Sequence, residues 1–219
     1  MNEGRDDLDR FERSNPMKYK ACLRYSGASM ECTFKNCTSG SDAILGASTP
    51  VPGTITKEMI GDMADKPIVF AAANPEPEIW PWDAIDAGAY VVATGRSDFP
   101  NQINNSLGFP GIFRGTLDVR AKTITDSMCV AAAKELAKVA EDKGLRQDYI
   151  IPTMDEWVVF PREAQAVGMQ AQREGIARVK RSGEELMSMA VEIIEMARKE
   201  TDVKMKEKII PEAPPNTRL

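Results

Sequence analysis

Residues Ala93 to Gly111 read ATGRSDFPNQINNSLGFPG, and the fold turns on where this stretch lies. Directly upstream, Ala89-Tyr90-Val91-Val92-Ala93 reads as a short buried strand that Thr94-Gly95 breaks. Four side-chain amides follow, at Asn101, Gln102, Asn104 and Asn105, before a helix begins despite the weak helix formers Pro110 and Gly111. In an open α/β sheet the C-terminal end of a buried strand is where ligands bind. An amide offers two donors and an acceptor without a charge, which suits a small polyoxygenated ligand. The same asparagines also build ordinary capped turns.

Working outward, two more strands are legible. Asp42 to Ser48 and Pro67 to Ala73 are short and largely apolar, and a helix near Lys57 to Ala64 lies between them with Thr56 as candidate N-cap. Apolar strands separated by helical segments predict a parallel sheet covered on both faces. The three strands end in Gly46-Ala47-Ser48, Ala73-Asn74-Pro75 and Thr94-Gly95-Arg96-Ser97. Adjacent parallel strands bring such ends into one crevice. Small residues there admit a flat ring, and Ser48 and Asn74 supply hydrogen bonds. Arg96 with Asp98 reads as a solvated pair bracing a loop. Arg114 is read as structural, and Glu76 and Glu78, flanking Pro77, as a solvated turn.

Downstream the pattern becomes helical. Ile124, Met128, Ala132, Leu136 and Val139 share one face of a helix stopping near Gly144. A second helix is expected from about Arg162 to Arg178, interrupted or weakened by Gly168 and Gly175. Ser182-Gly183-Glu184-Glu185 is a capping box opening a third, with Leu186, Ala190 and Ile193 on its apolar stripe. A short helix is also expected around Pro16 to Leu23. The chain divides into an irregular segment 1–40, an α/β part 41–152, helices over 153–200 and a charged tail 201–219.

Composition narrows the function classes. The chain has 219 residues, 42% of them apolar, and a net charge of −5, which leaves no basic footprint for nucleic acid. No apolar run is long enough to span a bilayer, and the charged start MNEGRDDLDR lacks a signal-peptide core. No nucleic-acid or membrane partner is therefore expected, and the cytoplasm is the default location. Histidine is absent, so histidine-based general bases and Ser-His-Asp triads are excluded for this chain by itself. Cys22, Cys32, Cys37 and Cys129 form no C-x-x-C pair and are read as reduced and structural.

The string ATGRSDFPNQINNSLGFPGIFRG resembles the signature of the malic enzymes, malate oxidoreductases that decarboxylate. The resemblance extends to Gly46-Ala47-Ser48, Phe70-Ala71-Ala72-Ala73-Asn74-Pro75, Ala131-Ala132-Ala133 and Tyr149-Ile150-Ile151-Pro152. It implies a partial Rossmann-like parallel sheet flanked by helices, with further C-terminal helices. It also implies L-malate as substrate, pyruvate as product, NAD or NADP as cofactor and Mg²⁺ or Mn²⁺ as Lewis acid. Asn74, Asn104 and Asn105 would then bind substrate, while Ala47, Ser48 and Asn74 would line the cofactor crevice.

Several departures bear on that resemblance. No G-x-G-x-x-G turn occurs in the chain, and Glu3-Gly4-Arg5 matches the stretch just past the second strand of the family's cofactor domain. The chain thus reads as the C-terminal part of a malic enzyme, with no catalytic residue and no metal ligand of its own. Those groups are expected on an N-terminal half, which is either a separate polypeptide that partners this chain in a split enzyme or absent because the reading frame is truncated, the complete enzyme being a homo-oligomer. The alternatives are a non-catalytic malate- or dinucleotide-binding module and an oligomerisation subunit.

Overall fold

The structure, a computed structural model, describes residues 38–211. The elements below belong to the unit that begins at Gly40. The expected helix around Pro16 to Leu23 lies outside the described residues, as do Cys22, Cys32 and Cys37; Cys129 is a free, exposed thiol.

Three short strands, β1 (Ala43–Gly46), β2 (Ile68–Ala71) and β3 (Val91–Thr94), form a parallel sheet in the order β1-β2-β3. Ala43 pairs with Ile68, and Ile68 with Val91, so the three strands end level with one another. Parallel neighbours need a crossover, and each carries a short helix: α1 (Lys57–Gly61) and α2 (Pro81–Asp86). Thr56 caps α1 by accepting from the Met59 N–H at 3.3 Å. Pro81 opens α2, where its missing N–H costs nothing. Ile44, Ile60, Val69, Ile79, Ala84 and Val92 make the core between sheet and helices.

Only β3 is buried at every position. In β1 and β2 the residues alternate, and Leu45 is 69% exposed, so among the described residues the expectation of a sheet covered on both faces is not met for those strands. The helices α1 and α2 are each a turn or so long and cover little of the sheet.

The helical part consists of α3 (Phe109–Asp118), α4 (Asp126–Lys143), α5 (Val159–Arg173) and α6 (Gly183–Lys206). Its core joins Val119, Met128, Ala132, Val167, Ala171 and Leu186. Fully burying a side chain such as Leu186 or Met128 contributes about 1.5–3 kcal/mol. Gly168 does not interrupt α5, contrary to expectation. An added Cβ there would lie 2.8 Å from Leu186 Cδ1 and 3.3 Å from the Gly115 carbonyl, so close packing is its reason. The helix stops at Arg173, short of Arg178, and Gly175 adopts φ +70° just beyond.

Helix α6 continues to Lys206, past the boundary expected at 200. Its capping box is formed: the Ser182 Oγ accepts from the Glu185 N–H at 3.1 Å, and Glu185 Oε2 accepts from the Ser182 N–H at 2.6 Å. Ser182→Ala is expected to cost about 1 kcal/mol in urea unfolding. No helix among the described residues is long and apolar enough to cross a membrane.

Candidate functional site at the strand ends

The C-terminal ends of β1 and β2 are joined by a carboxylate that the sequence predicts to be solvated. Glu76 is exposed, but Glu78 is fully buried. Glu78 Oε1 accepts from the Ser48 N–H at 2.9 Å and the Ser48 hydroxyl at 3.4 Å, and Oε2 accepts from the Ala73 N–H at 3.0 Å. A buried carboxylate persists when such donors replace its water. Gly46 makes the room: a Cβ there would lie 2.8 Å from the Glu78 Cδ. The Glu78 carbonyl also accepts from Gly53 and Ile55, holding the loop after β1.

The end of β3 is joined to β2 by backbone proximity. A Cβ on Gly95 would stand 3.0 Å from the Ala72 carbonyl oxygen, a tight approach that only a small shift of the β2 backbone would relieve. Arg96 donates from NH1 to the Pro75 carbonyl at 2.9 Å. It also grips Asp98 with two bonds of 2.8 and 2.7 Å, so it braces the loop as expected. The Arg96 hydrogen bond holds the Asp98 carboxyl below its ordinary range. The guanidinium lies 5.8 Å from the Trp80 ring, which stacks on Trp82 at 4.9 Å.

The amide cluster divides into holders and free groups. Asn101 is a buried staple at φ +55°, donating to Val92 O and Gln147 O and accepting from the Ile150 N–H. It thus fastens β3 to the segment Tyr149-Ile150-Ile151-Pro152. Tyr149 in turn donates to Glu156 at 3.0 Å, and Lys143 pairs with the same carboxylate. Asn104 donates to Gly95 O at 2.8 Å and accepts from Ser106 N–H at 2.9 Å, capping a 3₁₀ turn, Asn105–Leu107. Asn74 and Asn105 are exposed, and their side chains make no hydrogen bond among the described residues. Ala47 and Ser48 are exposed at the end of β1.

These links place Ala47, Ser48, Asn74, Asn104 and Asn105 at one end of the sheet. Beside Asn104 and Asn105, a groove of about 330 Å³ runs between Gly108, Phe109, Cys129 and Leu136. The available groups are uncharged donors and acceptors over small residues, fitted to orient a polar ligand. Among the described residues, no group of three His, Cys, Asp or Glu side chains is arranged to hold a metal ion. Arg114 pairs with Asp118 within α3 and is structural. Glu78 escaped sequence reading because a carboxylate next to Pro77 matches a surface turn. The one available signal was the small residue Gly46 beside a hydroxyl, which is weak.

A parallel sheet with crossover helices and a polar crevice at its C-terminal strand ends defines a Rossmann-type α/β domain. The sequence profile described as the malic enzyme NAD-binding domain matches residues 37–171, and the chain belongs to that family. The bifunctional malic/malolactic enzyme of Bacillus subtilis is 49% identical over 154 residues, covering 70% of this chain and 37% of the relative. The NADP-dependent malic enzyme of Halomonas elongata is 42% identical over 193 residues, covering 81% and 43%. The crystal structure of Entamoeba histolytica malic enzyme superposes with a TM-score of 0.89 at 43% identity, over 97% of this chain and 43% of that one. The chain therefore spans less than half the length of these relatives.

Proposed function

We propose that this chain supplies the C-terminal part of the malate and nicotinamide crevice of a malic enzyme. The reaction is L-malate + NAD(P)⁺ → pyruvate + CO₂ + NAD(P)H. Hydride leaves malate C2 for the nicotinamide, and the resulting oxaloacetate loses CO₂. The observation that carries this reading is the pair of free amides, Asn74 and Asn105, at strand ends held together by Glu78 and Gly95. Both amides are neutral donors suited to malate carboxylates, while Ala47 and Ser48 border the space for the cofactor ring. Asn104, spent partly on capping the turn that begins at Asn105, stands beside it as the third amide of the substrate site.

A bound Mg²⁺ or Mn²⁺ would polarise the substrate oxygens during decarboxylation. Its ligands, the groups that move protons, and the pyrophosphate cradle belong to an N-terminal half in this reading. The same reading makes 41–152 the cofactor-domain portion and 153–200 the packing helices. It places the complete enzyme in the cytoplasm as a homo-oligomer.

The test is reconstitution. The pure 219-residue chain with malate, NAD or NADP and Mn²⁺ is expected to show no malate-dependent absorbance at 340 nm. Co-expression with the N-terminal half of a malic enzyme is expected to produce it, and Asn105→Ala to lower kcat/KM by at least about tenfold, as loss of one orienting hydrogen bond does. Turnover by the chain alone refutes the dependence on a second half. Malate or NAD affinity of the chain alone, without turnover on reconstitution, favours a binding module.

A further inference from the structure

Glu78 is the one fully buried carboxylate among the described residues whose two oxygens both accept hydrogen bonds, and all of those bonds go to the strand ends. The position of the donors is specific. Ser48 lies just past β1 and Ala73 just past β2, with Asn74 the next residue. Neither N–H belongs to the β ladder, so without Glu78 both would face the protein interior or the crevice unpaired. Carboxylate chemistry is required, since each oxygen must accept. Glutamine in the same pose would aim an NH₂ group at one of the two backbone N–H groups.

The Ser48 contact has a further consequence. The Ser48 Oγ lies 3.4 Å from Glu78 Oε1, a long contact in which the hydroxyl is the donor because a carboxylate oxygen accepts. The exposed side of the Ser48 oxygen then presents lone pairs only. With the backbone N–H of Ser48 also committed, Ser48 itself offers acceptance to a ligand. A ligand group fitted to that edge is an N–H donor, such as the carboxamide of a pyridine-carboxamide ring.

We propose that Glu78 is a positioning residue of the crevice, clamping Ser48 and Ala73 and setting the Ser48 oxygen as the acceptor for a ligand amide N–H. This deepens the function proposed above and rests on it for the identity of the ring. The clamp itself stands on the geometry alone.

Amide hydrogen exchange, read by NMR on the full chain, tests the clamp without any ligand. In Glu78→Gln the Ser48 and Ala73 amides are expected to exchange about tenfold faster or more, as loss of a charge-assisted bond implies. The amides of Val69 and Val92, inside the ladder, are expected to stay unchanged. Equal acceleration at all four sites means a merely structural role and overturns the proposal, as does no acceleration at all. Glu78→Asp, which keeps the charge but withdraws it, carries the same comparison should the glutamine variant unfold.

Nicotinamide and 3-acetylpyridine at millimolar concentration then probe the acceptor. Nicotinamide is expected to shift the Ser48 and Asn74 resonances, and 3-acetylpyridine, which lacks the amide N–H, to shift them far less. Ser48→Ala is expected to abolish the difference. Equal shifts by both probes, or none by either, overturn the acceptor role. Failure of the reconstituted enzyme to turn over malate counts against the function proposed above and leaves both of these readouts standing.

Discussion

Replacing Glu163 by methionine is expected to stabilise the protein at pH 8 by roughly 5 kcal/mol, and to flatten its stability between pH 5 and pH 8. Glu163 lies on α5, is fully buried, and neither carboxyl oxygen has a hydrogen-bond partner among the described residues. Its carboxyl presses on Gly111 of α3, where a Cβ would lie 2.6 Å from Oε2. Burial pushes the carboxyl from 4.5 up to about 9, so the folded protein holds it neutral at pH 7. The sign follows directly. Between about 4.5 and 9 the unfolded chain has released a proton that the folded chain keeps, so stability falls as pH rises. The full slope is about 1.4 kcal/mol per pH unit, and it ends above the folded value.

Methionine has a similar volume and removes both the ionisation and the orphaned oxygens. Glu163→Gln is expected to flatten the pH dependence as well while gaining less, since its amide stays unpaired. Urea unfolding of the wild type and both variants at pH 5, 6.5 and 8 measures the differences. A wild-type minus methionine difference that does not grow with pH sinks the idea.

Gly115→Ala is expected to destabilise the helical part by roughly 3 kcal/mol, at the upper end of overpacking costs. The added Cβ would sit 2.3 Å from the Ala164 carbonyl oxygen, 2.9 Å from Val167 Cβ and 3.0 Å from the Gly168 N. None of these is the free end of a flexible side chain, so α3 must move away from α5 as a body. The better helix propensity of alanine returns only about 1 kcal/mol. Helix α3 begins at Phe109 beside the groove, so its displacement also disturbs the turn holding Asn105. Gly61, at the end of α1, is the matched control, because nothing lies within 4 Å of its would-be Cβ. Gly61→Ala is expected to be neutral or slightly stabilising. Thermal unfolding separates the two, with a fall of roughly 6–12 °C for Gly115→Ala. Similar melting points for both variants would mean that the α3–α5 contact has room to spare.

Much of the fold was legible locally. The apolar runs at 42–48, 67–73 and 89–93, each bounded by Gly, Pro or polar residues, announced the three strands observed at 43–46, 68–71 and 91–94, and the helical stripes announced α4 and α6. Thr56 and Ser182 marked helix starts because a cap depends only on residues within one turn. The string from Ala93 to Gly115 sufficed to name the family, since so many uncommon residues in order leave few alternatives. The same string did not divide its asparagines by role. Asn101 reaches Gln147 and Ile150, 46 and 49 residues away, and no local pattern encodes that partnership.

What the sequence alone determined, then, is what depends on neighbours in the chain: strand and helix identity, caps, and the family to which the Ala93–Gly115 stretch belongs. What the tertiary structure decided is the fate of the acids and the glycines. Glu78 and Glu76 are two residues apart and look alike in sequence, yet one is solvated and the other clamps two strand ends. Glu163 falls unremarked inside the helix expected from about Arg162 to Arg178, yet both of its buried oxygens lack a hydrogen-bond partner among the described residues. Gly168 reads as an interruption of a helix and is instead, with Gly115, a point where α3 and α5 meet. The physical reason is common to all of these. Burial, and the donors that make burial tolerable, come from chain segments tens of residues distant, and only folding brings them together.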